Sequence, residues 1–383
     1  MLYVINEVIS DHFASGRATA ADVNGIEHLT MGVAEGSHRI GGPRKTLQRL
    51  AENIVIPERA RRVFARAAGR VSEEGRLRYQ LPTYGLVVTG RGPGSRVTSR
   101  HDGRQRVVEF PLPWFVDSTR AQRTALLGEN FTDVNVLEIM ARTALAIDNL
   151  PYLPLRFFPM NGGGGSTGDV LDSLVRDERL CVCVVDSDRV CPNGMLGPTA
   201  QAVQRFRDMA AYPAVEVLET RGRDLENSLP LAFYQNQYRS LPNCLPMTEM
   251  LARLTVAGRH DLRFHIDIEQ DIRLRRLFAH APGTEARLFW DTNLNVICGL
   301  VVPPPSTFPC LASGVCQYQR PDPCRCVALL GNTQGILEQF AECHKNDTGQ
   351  AIARMLSPEE RQEWTRLGLA VASWCCGDDK LRA

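Results

Sequence analysis

Between residues 124 and 218, short apolar runs alternate with segments whose apolar residues recur at helical spacing. The runs 124–128, 155–160, 180–185 and 214–218 read as strands. The third is apolar at every position, as a strand buried on both faces must be. Between the first two, Val134, Leu137, Met140, Ala141, Ala144 and Leu145 mark one helix face, with Thr132 placed to cap it. A second helix is expected around 169–176. A third begins at Pro198, with Val203, Phe206, Met209 and Ala210 as its apolar stripe. Strand and helix in strict alternation imply an α/β fold, a mainly parallel sheet flanked by helices.

In such sheets ligands bind outside the carboxyl ends of the strands, so the residues just past each run carry the chemistry. Glu129 follows the first run, and Asp186 and Asp188 follow the third in Asp186-Ser187-Asp188. Neighbouring carboxylates repel and are costly without a compensating cation. Their hard oxygens suit Mg²⁺ or Mn²⁺, which can polarise a phosphoryl oxygen and stabilise a leaving oxygen. Read blandly, the same two aspartates are a turn or a helix cap after a buried strand. Glu219 and Glu226 follow the fourth run, and Glu226 could complete a second metal position or simply be a helix-start acid. Asp133 is equally readable as a capping residue. Arg189 and Arg221 could neutralise transition-state charge or form ordinary ion pairs.

Four consecutive glycines, 162–165, precede Ser166 and Thr167. Backbone amides of Gly163 and Gly164, with Ser166, could approach an anion at a helix start, and Arg189 could join them in holding substrate. No Gly-Lys-Ser/Thr follows, so this is not a nucleotide-triphosphate loop.

Taken together, these motifs resemble the Toprim domain. Gly128-Glu129-Asn130-Phe131-Thr132-Asp133 looks like its first motif, Asp186-Ser187-Asp188 its Asp-x-Asp motif, and 162–167 the glycine turn after its second strand. Asn130 stands where many members have glycine. The resemblance spans about 110 residues and implies a Toprim-like sheet. It makes Glu129 the acid–base group or a metal ligand, and Asp186 and Asp188 metal ligands. Glu226, in Glu226-Asn227, resembles the Glu-Asn pair of bacterial defence nucleases with Toprim-like domains, such as those of the overcoming-lysogenization-defect family. The implied activity is a Mg²⁺-dependent endonuclease acting on DNA or RNA, including tRNA. The implied setting is an antiphage effector in the cytoplasm, restrained by a regulatory ATPase or a nucleoprotein partner. A nucleotide-sugar transferase using Asp186-Ser187-Asp188 would not need Glu129, and a binding scaffold would need none of the acids.

The chain of 383 residues has room for three regions: 1–119, 120–230 and 231–383. The first promises a basic helix over 57–78, strands at 83–89 and 106–110, and between them a loop bearing Arg91, Arg96, Arg100 and Arg104. With Arg106, these could grip a phosphate backbone or form a solvated hairpin tip. The third promises α+β structure: strands at 285–290 and 295–302, and helices near 336–343 and 358–375. Cys310, Cys316, Cys324 and Cys326 could hold a structural zinc, but their spacing is irregular and lacks paired Cys-x-x-Cys, which favours free thiols. Net charge is only +1, so any nucleic-acid partner must be met by local patches. No run of eighteen apolar residues is present, so no membrane span is expected. Cysteines inside strand-like runs suit a reducing cytoplasm. No internal repeat is visible.

Overall fold

Two parallel sheets organise the protein. The computed structural model describes residues 1–90, 96–150, 153–238, 245–268, 272–273, 280–300, 327–328 and 335–381. The first sheet contains β1 (Leu2–Ile5), β2 (Arg39–Gly41), β3 (Thr83–Val88), β4 (Thr98–Asp102) and β5 (Gln105–Pro111), in the order β2-β1-β3-β5-β4. Every pairing is parallel except β4, which folds back antiparallel on β5. The second sheet contains β6 (Thr124–Gly128), β7 (Phe157–Asn161), β8 (Cys181–Val185) and β9 (Val215–Glu219), in the order β7-β6-β8-β9 and parallel throughout.

Side-chain alternation divides the second sheet between two cores. Leu126, Val182 and Val184 face the main core, shared with the first sheet. Ala125, Leu127, Cys181, Cys183, Val185, Val215 and Val217 face a smaller core. That smaller core is closed by α7 (Thr167–Arg176) and α8 (Pro198–Val203) through Leu171, Leu174, Ala200 and Val203. On the main-core side, α6 (Phe131–Ile147) lies against β6 and β7, and the C-terminal helix Pro358–Cys375 packs on α6. That C-terminal helix also touches β3, β6 and β8, so it stands between the sheets. A polar seam joins them as well. Arg106 of β5 donates to the carbonyls of Pro213 and Val215, each at 2.9 Å, and lies 3.7 Å from Glu216 of β9. Glu216 also accepts from Thr83 and from the Trp374 indole.

Several expectations change. The helix expected over 57–78 is two, α4 (Glu58–Gly69) and α5 (Val71–Gln80), because Arg70 leaves helical geometry between them. The arginine loop contains β4, whose Arg100 is paired with Glu109, while Arg106 is buried in the seam and unavailable to a phosphate backbone. Arg91 lies outside the described residues. The two strands expected at 285–290 and 295–302 are replaced by one helix, Glu285–Leu300; residues 301–302 lie outside the described residues. Arg287 and Asp291 pair four residues apart, and Thr292 donates to the Leu288 carbonyl, both one-turn contacts that a strand cannot make. The apolar runs had hidden this polar spacing. Cys310, Cys316, Cys324 and Cys326 lie outside the described residues. Among the described residues no helix is long and apolar enough to cross a membrane.

Candidate active site

In the second sheet, β7 lies on one side of β6 while β8 and β9 lie on the other. The direction of winding therefore reverses between β6 and β8, which opens a crevice at their carboxyl ends. Glu129 leaves the end of β6 and Asp186 the end of β8, and they meet: Glu129 Oε1 accepts the Asp186 backbone N–H at 3.1 Å.

The Asp-Ser-Asp segment is fixed by its middle residue. Ser187 is fully buried; its amide donates to Thr220 Oγ1 at 3.0 Å and its hydroxyl to the Gly222 carbonyl at 2.7 Å. With Ser187 turned inward, the flanking aspartates both line the crevice. Asp188 has φ of 54°, a left-handed conformation tolerated better by aspartate than by most residues. Its side chain lies over Gly197, where a Cβ would come within 1.9 Å of Asp188 Oδ2, so only glycine leaves room for it.

A cleft of about 310 Å³ opens here, walled by seven acids: Asp133, Asp186, Asp188, Asp224, Glu226, Asp267 and Glu338. Glu129 is not one of its walls but is bonded to one. Among the described residues Arg223 is the single cation in the wall, 3.2 Å from Asp267 and 3.5 Å from Asp224. Burial, then the charges of Glu226, Asp224, Asp133 and Glu129, push the Asp186 carboxyl well above the usual carboxylate range. Burial raises Glu129 to about 7, against the hydrogen bond from Asp186 and with help from Asp133 and Asp188. Burial likewise raises Asp133 to about 6.

Glu226 is buried and lines the cleft with Asp186 and Asp188. The other expected residues divide. Asp133 is a capping residue: its carboxylate accepts the Asn130 amide while Asn130 Oδ1 accepts the Asp133 amide, each at 3.0 Å. Asn130, not Thr132, therefore caps α6. Thr132 instead donates to Glu338 at 3.1 Å, tying α6 to the helix Ile336–His344. Arg189 is held by Glu219 at 3.0 Å, and Glu219 also binds Arg207, so neither Arg189 nor Glu219 lines the cleft. Arg221 lies over the Phe264 ring, 4.7 Å from its centre.

The glycine turn is self-satisfied. Gly163 and Gly164 have φ of 68° and 60°, which explains the glycines. Their amides, however, are already given to Asn161 Oδ1 and the Glu129 carbonyl, and the Ser166 hydroxyl to the Gly162 carbonyl. The turn thus buttresses Glu129 instead of presenting those groups to an anion.

Asp224, Asp267, Glu338 and Arg223 were not foreseen. Asp224 sits two residues before Glu226, a signal that was available. Asp267 arrives from a distant segment with no motif of its own. Its position is set by Asn227, whose side-chain amide donates to the carbonyls of Arg263 and Ile266 at 2.7 and 2.8 Å.

The chain matches no family model, no curated protein and no solved structure.

The donor set is all carboxylate oxygen and carries far more negative charge than Arg223 offsets, which suits a hard divalent cation in type and in charge. In the present side-chain positions, no three His, Cys, Asp or Glu among the described residues form a metal-binding group.

Proposed function

We propose that the protein is a divalent-metal-dependent nuclease that cleaves nucleic-acid phosphodiesters at the carboxyl end of the second sheet, in the manner of Toprim domains. The meeting of Glu129 with Asp186 at the winding reversal, across 57 residues of sequence, carries this reading. An Asp-x-Asp transferase site has no use for that contact. Asp186, Asp188 and Glu226, with Glu129, are the residues to hold Mg²⁺ or Mn²⁺. The ion, when bound, supplies polarisation of a phosphoryl oxygen and stabilisation of the leaving oxygen. Glu129 holds or releases a proton at its free oxygen, and Arg223 offers the anionic phosphate its one cationic contact. The resemblance extends the proposal to an antiphage role, with a partner ATPase or nucleoprotein as restraint.

The test is incubation of purified protein with plasmid DNA, single-stranded DNA and total tRNA, with Mg²⁺ or Mn²⁺ and with chelator. Cleavage of one of these is expected, lost in chelator and reduced at least about a hundredfold in Glu129→Gln. Cleavage that survives chelation, or that Glu129→Gln leaves intact, rules the reading out.

A further inference from the structure

A larger cleft, of about 840 Å³, lies elsewhere. One side belongs to the first sheet and its helices. Pro113 and Trp114 follow β5, His12 comes from α1 (Glu7–Ala14), and Thr19 and Asp22 begin α2 (Ala20–Ala34). This is the carboxyl end of the first sheet, where the winding again reverses, here between β1 and β3. The other side belongs to the second sheet's amino end: Arg179, which precedes β8, and Ala211 to Val215, which lead into β9. The acid-lined cleft is at the opposite end of those same strands, roughly 17 Å away for strands of five residues.

The chemistry of this cleft is different. Among the described residues it has two acids, and both are engaged. Asp22 Oδ2 accepts from His12 at 3.0 Å and from the Thr19 amide and hydroxyl at 2.9 and 2.8 Å. Glu178 pairs with Arg120. Arg96 and Arg179 remain as surplus positive charge in the wall. The rest is apolar or aromatic. Tyr212 stands edge-on to Phe206, and the Arg120 guanidinium carbon lies over the Trp114 ring, 5.5 Å from its centre; aromatic rings and guanidinium groups are surfaces of the kind on which a base stacks. The volume falls in the range of small-molecule sites.

We infer that this cleft binds a mononucleotide, its base against Tyr212 and the Trp114–Arg120 pair and its phosphate opposite Arg96 and Arg179. The ligand spans both sheets, and its site is separate from the carboxylate cleft. The flat body and the localised charge are both required by the wall, so neither half of the ligand suffices.

Calorimetric titration of the full chain with adenosine and guanosine 5′-monophosphate tests this, with the corresponding nucleosides and inorganic phosphate run alongside. Saturable binding of at least one monophosphate is expected, with its nucleoside and phosphate each at least tenfold weaker. Arg179→Ala is expected to weaken binding at least tenfold, the size of one charged hydrogen bond. Ala211→Trp, which fills the cleft from an exposed position, is expected to do the same, and Glu129→Gln to leave affinity within twofold. Thermal melts matching wild type establish that the variants are folded. Failure of both monophosphates to bind overturns the inference. So does binding that Arg179→Ala and Ala211→Trp leave unchanged, or that Glu129→Gln alone removes.

Discussion

The two sheets share one plan. In each, the second parallel strand lies outside the first, and the later ones lie on the first strand's other side. The residues that leave those strands are nevertheless different. In the first sheet β1, β2 and β3 run into Asn6, Gly42 and Thr89; in the second, β6 and β8 run into Glu129 and Asp186. The plan dictates where a crevice opens, and the side chains at its lip decide what the crevice is for. One lip is crowded with carboxylates that repel each other. The other has its two acids already engaged and arginine to spare. A shared strand order without a shared sequence also explains why no repeat was visible in the chain: winding is encoded by the spacing of apolar runs, which tolerates any residue between them.

The seam is where the two sheets are joined into one body, and breaking it is expected to have the largest effect. Arg106→Met removes three side-chain hydrogen bonds, two of them across the seam, and leaves the half-buried Glu216 without its cation. A loss of about 3 kcal/mol in urea unfolding is expected, with wild type showing one transition. A variant as stable as wild type would mean that the sheets are joined elsewhere.

The acids of the two halves are expected to respond to pH with opposite sign. In metal-free protein Glu129 sits at about 7, above its ordinary 4.5, because burial disfavours its charged form. The cost is absent below pH 4.5, grows as pH rises towards 7 and is then constant. Glu129→Gln in chelator should therefore stabilise by on the order of 1–2 kcal/mol at pH 8, allowing for solvent screening, and not at pH 4. Asp22, in the first half, is held below its ordinary 3.8: burial works against this, but hydrogen bonds from His12 and Thr19 prevail. Asp22→Asn should lower the melting temperature at pH 7, and the difference should fade as pH falls through 3.8 and below. If both variants shift stability in the same direction, the electrostatic contrast is wrong.

The smallest effect concerns Asn130. As the cap of α6, its replacement by alanine is expected to cost about 1 kcal/mol, and by glycine a few tenths. Equal stability of all three would remove the capping role given to Asn130.

These variants also mark how far the sequence could be read. β6 and β8, and with them the positions of Glu129, Asp186 and Asp188 just past their ends, were legible because buried parallel strands are apolar throughout and end abruptly. The first sheet was only half legible. β1 and β2 are four and three residues long, too short for periodicity to stand out. Arg106 reads as a surface cation from its neighbours in sequence, and only the approach of β9 makes it a buried one. Asp267 and Glu338 could not be foreseen, since their place depends on Asn227 and Thr132 holding distant segments against the cleft.

The helix Pro358–Cys375 gives the protein a constraint in time. It is made after the strands of both sheets, yet it touches β3, β6 and β8 and supplies Trp374, whose carbonyl accepts from Thr124 at 2.7 Å at the start of β6. A growing chain in which residues 1–230 have emerged has both sheets' strands but lacks the wall between them. Chains usually fold from the front as they emerge. Here the main core cannot close until residues 358–375 have emerged, so closure of the space between the sheets waits on a helix made after all of their strands.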